Sequence, residues 1–396
     1  MTPPVASDLR GGSIISGIGF TPYSKNSGRT VLGLALEACM GAITDSGVPV
    51  SEVDGVVTFG LHDSPPAIAV ATGLGLPRLR HFATYLGGGD LCVSLIGDAA
   101  KAVMLGEADH VLVYRALNGR SGKRTGGSGS DTDAVVGRDD AQFTYPQGWM
   151  TFPQYNAMCA RRHMLKYGTT TEDFGRVAVQ MRANAALNER AMYRDPITLE
   201  DHQNSRMIAD PFRLLDCCLE TDGACAFLVS RAEHSKDVAS PPVSILAWAN
   251  GGGPRPGYGF DGFYTYEEGA DLFSEYIAPE LWRRAGLGPQ DVDVASIYDC
   301  FTFSVLSQLE GFGFCKRGEG AGFVRDGNIA SDGKVGVNLN GGMLSEAYVP
   351  GFNGLIEVVQ QLRGSAGLRQ RPSAEVGLAT GFGTTTGSGL VLSAAS

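Results

Sequence analysis

An internal repeat constrains this chain more than any other feature. From Thr30 to Phe59, the segment TVLGLALEACMGAITDSGVPVSEVDGVVTF reads as a helical run closed by a Ser-Gly turn, then a Glu-Val-Asp step into an apolar strand. From Leu272 to Tyr298, LFSEYIAPELWRRAGLGPQDVDVASIY has its helix, Ala-Gly turn and Asp-Val-Asp-Val strand in the same order. Val53-Asp54 and Val292-Asp293 are 239 positions apart, as are Ser46-Gly47 and Ala285-Gly286. One register shared by a helix, a turn and a strand points to duplication.

Each half continues alike. In the first, a Gly-rich loop (Leu86 to Gly89) leads into an apolar helix from about Asp90 to Gly106 and a buried strand from His110 to Tyr114. In the second, Tyr348 to Gly351 leads into a helix from about Gly354 to Gly364 and a strand from Glu375 to Thr380. Strands separated by helix-length crossovers predict an α/β fold with mainly parallel sheets and helices buried between layers. A site is expected where the two Gly-rich loops meet at helix N-termini, whose free N–H groups suit an anionic ligand or intermediate.

The 396 residues suffice for two comparable cores. Against 42 acidic residues the 32 Lys and Arg give a net charge of −10, with no basic tract, which disfavours nucleic-acid binding. The start, MTPPVASDLRGG, has no basic patch followed by an apolar run, and no stretch is long enough to span a membrane; the expected location is the cytoplasm. Eight dispersed cysteines without a C-x-x-C pair, and six dispersed histidines, predict neither a disulfide framework nor a metal centre.

Between the halves lies an excursion whose opening, GRSGKRTGGSGSDTD, is Gly/Ser-rich and locally basic. Arg120, Lys123 and Arg124 are either a solvated loop or candidates for holding the phosphates of a large anionic substrate. A helical stretch from about Thr171 to Ala191 follows, and the first half closes with a strand from Asp222 to Ser230. The expected organisation is an N-terminal half of residues 1–115 and 211–245, an inserted loop region 116–210, and a C-terminal half 246–396.

This order of features resembles the thiolase superfamily, most closely its sterol-carrier or lipid-transfer-protein branch. The resemblance implies duplicated αβαβα halves in a five-layered sandwich. Thiolases act on acyl-CoA with a nucleophilic cysteine, a histidine in a G-H-P-x-G-like loop, an N-E-A-F loop and a C-x-G loop. The nucleophile lies seventeen residues before the Gly ending its helix; counting back from Gly106 reaches Gly89, with Cys92 three residues further on. The histidine position is Tyr348, the N-E-A-F loop is Tyr298-Asp299-Cys300-Phe301, and the last loop reads Gly381-Phe382-Gly383. Both family cysteines are glycine, and tyrosines stand in place of the asparagine and the histidine.

This double substitution resembles the steroid side-chain aldolases of actinobacterial sterol catabolism, which cleave a β-hydroxyacyl-CoA by retro-aldol reaction. Such cleavage needs no acyl-enzyme; it needs a base for the β-hydroxyl, an acid for Cα and donors for the enolate oxygen. The candidates are Tyr298 and Tyr348 for proton transfer, backbone N–H groups around Gly383 and Gly89 with the Asn340 side chain for the oxygen, and Asp299 to orient Tyr298 or cap a loop. In the resembling family a 17-hydroxy-3-oxo-pregnene carboxyl-CoA gives a 17-ketosteroid and propionyl-CoA. The resemblance also implies a dimer, a small OB-fold and zinc-ribbon partner completing a heterotetramer, and no cofactor in this chain, CoA being part of the substrate and any zinc lying on the partner. The alternatives are a thiolase or acyltransferase using Cys92, and a non-catalytic acyl-CoA or lipid carrier.

Overall fold

The computed structural model describes residues 10–122, 145–149, 151–253 and 273–395. Twelve strands are present among them: β1 (Ser13–Phe20), β2 (Gly55–Gly60), β3 (His81–Leu86), β4 (His110–Asn118), β5 (Met207–Ala209), β6 (Phe212–Arg213), β7 (Asp222–Arg231), β8 (Val243–Gly252), β9 (Val294–Ser296), β10 (Gly336–Val337), β11 (Val376–Phe382) and β12 (Thr386–Ala394). Ten of them form one sheet in the order β10-β9-β11-β12-β8-β1-β7-β4-β2-β3, while β5 and β6 pair separately.

The duplication is visible in that order. Reading outward from the centre, β1-β7-β4-β2-β3 mirrors β8-β12-β11-β9-β10, and the halves join where Ile14 and Ile15 of β1 face Ser244 and Val243 of β8. The repeated turns have one physical cause: the helices Val31–Ser46 and Ser274–Ala285 both stop at a glycine in the left-handed region, Gly47 at φ 75° and Gly286 at φ 63°.

The expectation of mainly parallel sheets needs correction. Only β2–β3, β2–β4, β9–β10 and β9–β11 are parallel; the other pairings within the large sheet are antiparallel. Three residues, Gly383 to Thr385, separate β11 from β12, and so short a connection can only make a hairpin. The long excursion before β7 lets that strand return antiparallel to β4 in the same way.

The helices Ser94–Met104 and Phe352–Leu362 each pack on strands of both halves and are buried over most of their length. Their N-terminal ends meet where Gly351 lies against Cys92. The Val31–Ser46 helix and the short Ala67–Leu74 helix cover the outer side of β2, β4 and β7 with a separate apolar cluster. Where described, the excursion is helical rather than loop: Phe152–Tyr167, Thr171–Ala186 and Leu199–Asn204. Buried pairs tie it to both halves, with His163 3.1 Å from Glu310, and His202 2.8 Å from Asp216, which also accepts from Thr302. The second helix ends five residues sooner than expected because Asn188 turns inward to donate to Glu346 and to the Asn340 carbonyl.

Candidate active site

A cavity of about 790 Å³ opens where the four loops converge. Gly87 to Gly89 line it from the end of β3, Tyr298 and Cys300 from beyond β9, Tyr348 and Pro350 from the next loop, and Phe382 to Thr384 from the β11–β12 hairpin. Phe59, Arg115 and Cys217 to Thr221 complete the inner wall, and Lys25, Arg120, Arg182 and Arg206 also line it.

Tyr298 is held at both of its backbone groups. Its N–H donates to Thr380 Oγ1 at 2.9 Å, and its carbonyl accepts from Ser304 Oγ and Gln308 Nε2, each at 2.9 Å. Asn338 locks the preceding residue by bonding both the N–H and the carbonyl of Ile297 at 2.8 Å. The ring lies nearly parallel to that of Phe382. Tyr348 is fixed by Thr221, whose Oγ1 accepts from the Tyr348 N–H at 2.9 Å and donates to its carbonyl at 3.2 Å. With both backbones anchored, the two phenol oxygens lie 3.4 Å apart.

The glycines at the lost cysteine positions have steric reasons. A Cβ on Gly89 would lie 2.1 Å from Tyr298 Oη, so the phenol occupies the space of a side chain there. A Cβ on Gly381 would lie 2.6 Å from the Gly89 carbonyl oxygen and 2.9 Å from Cys92 Sγ. Gly351, in the left-handed region at φ 76°, would bring a Cβ to 2.6 Å from the same sulfur. Cys92 is thus wedged behind the site, fully buried, with its thiol against the Thr380 carbonyl at 3.7 Å. Burial pushes that thiol up, away from the thiolate a nucleophile needs, and Cys92 is not among the lining residues.

Burial also pushes both phenols up, and the pair is not symmetric. Tyr298 is raised further by the neighbouring Tyr348 and by the sulfurs of Cys300 and Cys92. For Tyr348, burial and Cys218 raise the value, while the Tyr298 hydrogen bond and the Arg115 guanidinium oppose them. Arg115 is itself buried, donating to Asp63 at 2.6 Å and to the Ala116 carbonyl at 2.9 Å.

Three expected positions prove to be committed elsewhere. Gly383 lines the cavity, but its N–H closes the hairpin by donating to the Thr386 carbonyl at 2.9 Å and is not free for an oxyanion. Asn340 is fully buried and absent from the wall; its amide donates to Glu346, and its oxygen accepts from the Gly342 N–H at 3.1 Å. Asp299 accepts from the N–H groups of Met343 and Leu344 at 2.8 and 3.2 Å, capping the Gly342–Ser345 turn instead of orienting Tyr298. Burial pushes this carboxylate up to about 7.

Gly89 opens a 3₁₀ turn at the cavity wall, and the first N–H groups of such a turn have no acceptor within it. Arg120 lines the cavity, with Glu220 3.6 Å away, whereas Lys123 and Arg124 lie outside the described residues. Sequence reasoning missed Glu346, whose buried carboxylate accepts from Asn188 at 2.8 Å, Asn353 at 3.0 Å, Arg190 at 3.1 Å and Asn340, and so anchors the loop carrying Tyr348. It also missed Arg115. One charged residue in each of the apolar strings GGMLSEAYVPG and HVLVYRALN was the available signal.

Among the described residues no three metal-ligating side chains cluster, and no helix is long and apolar enough to cross a membrane. Residues 276–393 match the family described as thiolase C-terminal domain-like. The chain is 43% identical to a steroid side-chain-cleaving aldolase of Thermomonospora curvata, covering 98% of this chain and 99% of that one. It is also 43% identical to the 17-hydroxy-3-oxo-4-pregnene-20-carboxyl-CoA lyase of Mycobacterium tuberculosis, over 97% of this chain and all of that one. The solved Ltp2-ChsH2(DUF35) aldolase superposes with a TM-score of 0.90 at 42% identity, covering 98% of both chains. Four converging loops, the phenol pair in place of the thiolase residues and full-length similarity give one conclusion: the chain belongs to the thiolase superfamily, in its branch of steroid side-chain-cleaving aldolases.

Proposed function

We propose that this chain is a carbon–carbon lyase that cleaves a β-hydroxyacyl-CoA by retro-aldol reaction, the acyl group being a steroid side chain of the 17-hydroxy-3-oxo-pregnene carboxyl type. The products are then a 17-ketosteroid and propionyl-CoA. The observation that carries this reading is the 3.4 Å phenol pair, with Tyr298 Oη filling the space beside Gly89. The site has exchanged a group able to hold an acyl chain for two groups able to move protons.

In the reaction one tyrosine takes the β-hydroxyl proton as the C–O bond becomes a carbonyl, and passes its own phenol proton across the 3.4 Å contact to the other. The electrons of the Cα–Cβ bond pass to the thioester as an enolate, and the other tyrosine protonates Cα. Because burial raises both phenols, transfer is concerted with bond cleavage instead of relying on a standing phenolate. The Tyr298 hydrogen bond and Arg115 both favour negative charge on Tyr348, and the two phenols share the base and acid roles between them. The Gly89 N–H is the backbone donor for the enolate oxygen. Lys25, Arg120 and Arg206 suit the phosphates of CoA.

The exposed apolar residues Phe82, Tyr85 and Leu86 on edge strand β3 favour pairing with a second copy. The DUF35 component of the similar Ltp2-ChsH2(DUF35) aldolase supports a partner subunit; its small OB-fold and zinc-ribbon character, the heterotetramer and the cytoplasmic location are what the family resemblance implies. The deciding experiment incubates the chain, co-expressed with that partner, with a 17-hydroxy steroid-CoA and looks for ketone plus a shorter acyl-CoA. A covalent acyl-enzyme, or binding without turnover, refutes the lyase reading; undiminished rates in folded Tyr298→Phe and Tyr348→Phe proteins refute the tyrosine mechanism.

A further inference from the structure

We propose that Cys218 and Cys300 are a modifiable thiol pair in the cavity wall, which a small neutral two-electron oxidant closes to a disulfide, arresting cleavage. The geometry comes from the backbone. Cys217 and Phe301 form an antiparallel bridge, and the Cys218 N–H donates to the Cys300 carbonyl at 2.9 Å, so the next residues in register, Cys218 and Cys300, lie opposite each other. Residues opposed in this hydrogen-bonded way have Cα atoms about 5.5 Å apart, within the roughly 4.4–6.8 Å that a disulfide spans.

Both cysteines are partly exposed, and both line the cavity. Cys217 shares the wall, its thiol donating to the Arg213 carbonyl at 3.5 Å; the Cys300 thiol rests against Ser304 Oγ at 3.8 Å, a contact that closure gives up. Cys39, Cys92, Cys159 and Cys225 are buried. The pair flanks the phenols: Cys300 is two residues from Tyr298, and Cys218 stands beside Tyr348 closely enough to oppose its ionisation. Drawing the two sulfurs together therefore moves wall on both sides of the tyrosines.

In the closing step each thiol gives up its hydrogen and one S–S bond forms. The oxidant takes both hydrogens: a peroxide is reduced to water, and the N=N bond of diamide becomes the hydrazine. Burial pushes both thiols up, so closure is slow near neutral pH and speeds up as pH rises.

The thiol pair stands apart from the lyase reading; only its effect on cleavage rests on that reading. The test treats the full chain with diamide, maps its disulfides by mass spectrometry and follows cleavage before and after dithiothreitol. The expected result is a Cys218–Cys300 crosslink, at least a tenfold loss of rate, and recovery on reduction. Cys218→Ser and Cys300→Ser proteins should each keep their own untreated rate. Free thiols at both positions after diamide, a crosslink through Cys217 instead, or equal inactivation of the Cys218→Ser protein would overturn the proposal. If untreated protein cleaves nothing, the lyase reading fails, and the crosslink map alone still decides the thiol pair.

Discussion

The hydroxyl of Tyr298 stands where a side chain on Gly89 would begin, with only 2.1 Å between Tyr298 Oη and the ideal Cβ position. The two residues are 209 positions apart in the chain and exclude each other's alternatives. A nucleophile at position 89 requires a smaller neighbour than tyrosine, and this tyrosine requires glycine.

Gly89→Ala should therefore destabilise the protein by about 1–3 kcal/mol through overpacking. Thermal melts of Gly89→Ala, Tyr298→Ala and the double variant check this. The double variant should lose less than the sum of the singles, since removing the ring makes room for the methyl.

Phenylalanine at either tyrosine position keeps the ring and removes the transferable proton. Each of Tyr298→Phe and Tyr348→Phe should lower kcat by about 10²–10⁴, the usual contribution of a positioned acid or base. The double variant should fall little below the worse single, because the two oxygens act as one unit. Steady-state cleavage of the steroid-CoA gives the values.

Asp299 should make stability fall as pH rises. Its folded-state value of about 7 exceeds the ordinary carboxyl value near 3.8, so between these the folded chain holds a proton that the unfolded chain has released. Its contribution is constant below about pH 4, is lost progressively towards pH 7, and amounts to about 4 kcal/mol at most. Asp299→Asn should flatten the stability profile over that window in denaturant titrations.

Glu346 should matter more than its distance from the cavity suggests. Glu346→Ala leaves Arg190 with only Glu357, at 3.8 Å, and takes one of two acceptors from each of Asn188, Asn340 and Asn353, at a cost of about 3–5 kcal/mol. Glu346→Gln keeps an acceptor and should cost less. Urea unfolding of both variants, alongside their kcat, checks the expected order.

Much of this architecture was legible in the chain. The left-handed caps at Gly47 and Gly286 are local events, so their shared register with the following strands revealed the duplication. Tyr298 and Tyr348 could be found because YDCF and AYVPGFNG fall where the resembling family keeps its N-E-A-F and histidine loops. Asn340, Asp299 and the Gly383 N–H looked equally suitable, yet each is taken by a protein partner: Glu346, the turn at Met343 and Leu344, and the Thr386 carbonyl. The residue types were readable; which way each polar group points was not.

The sequence by itself determined the two halves and the glycine-rich loops, because helix caps, turns and hydrophobic periods are set by residues a few positions apart; its resemblance to the family added the missing cysteines and the two tyrosines. Only the tertiary structure decided that the phenols touch, that Tyr298 fills the space beside Gly89, that Cys92 is sealed behind the wall and that β7 and β12 run antiparallel to their neighbours. Those outcomes depend on contacts between segments up to about three hundred residues apart, such as Cys92 against Thr380. No local pattern carries them, since the same hydrophobic string packs equally well with its side chains turned to either face until the opposing surface is in place.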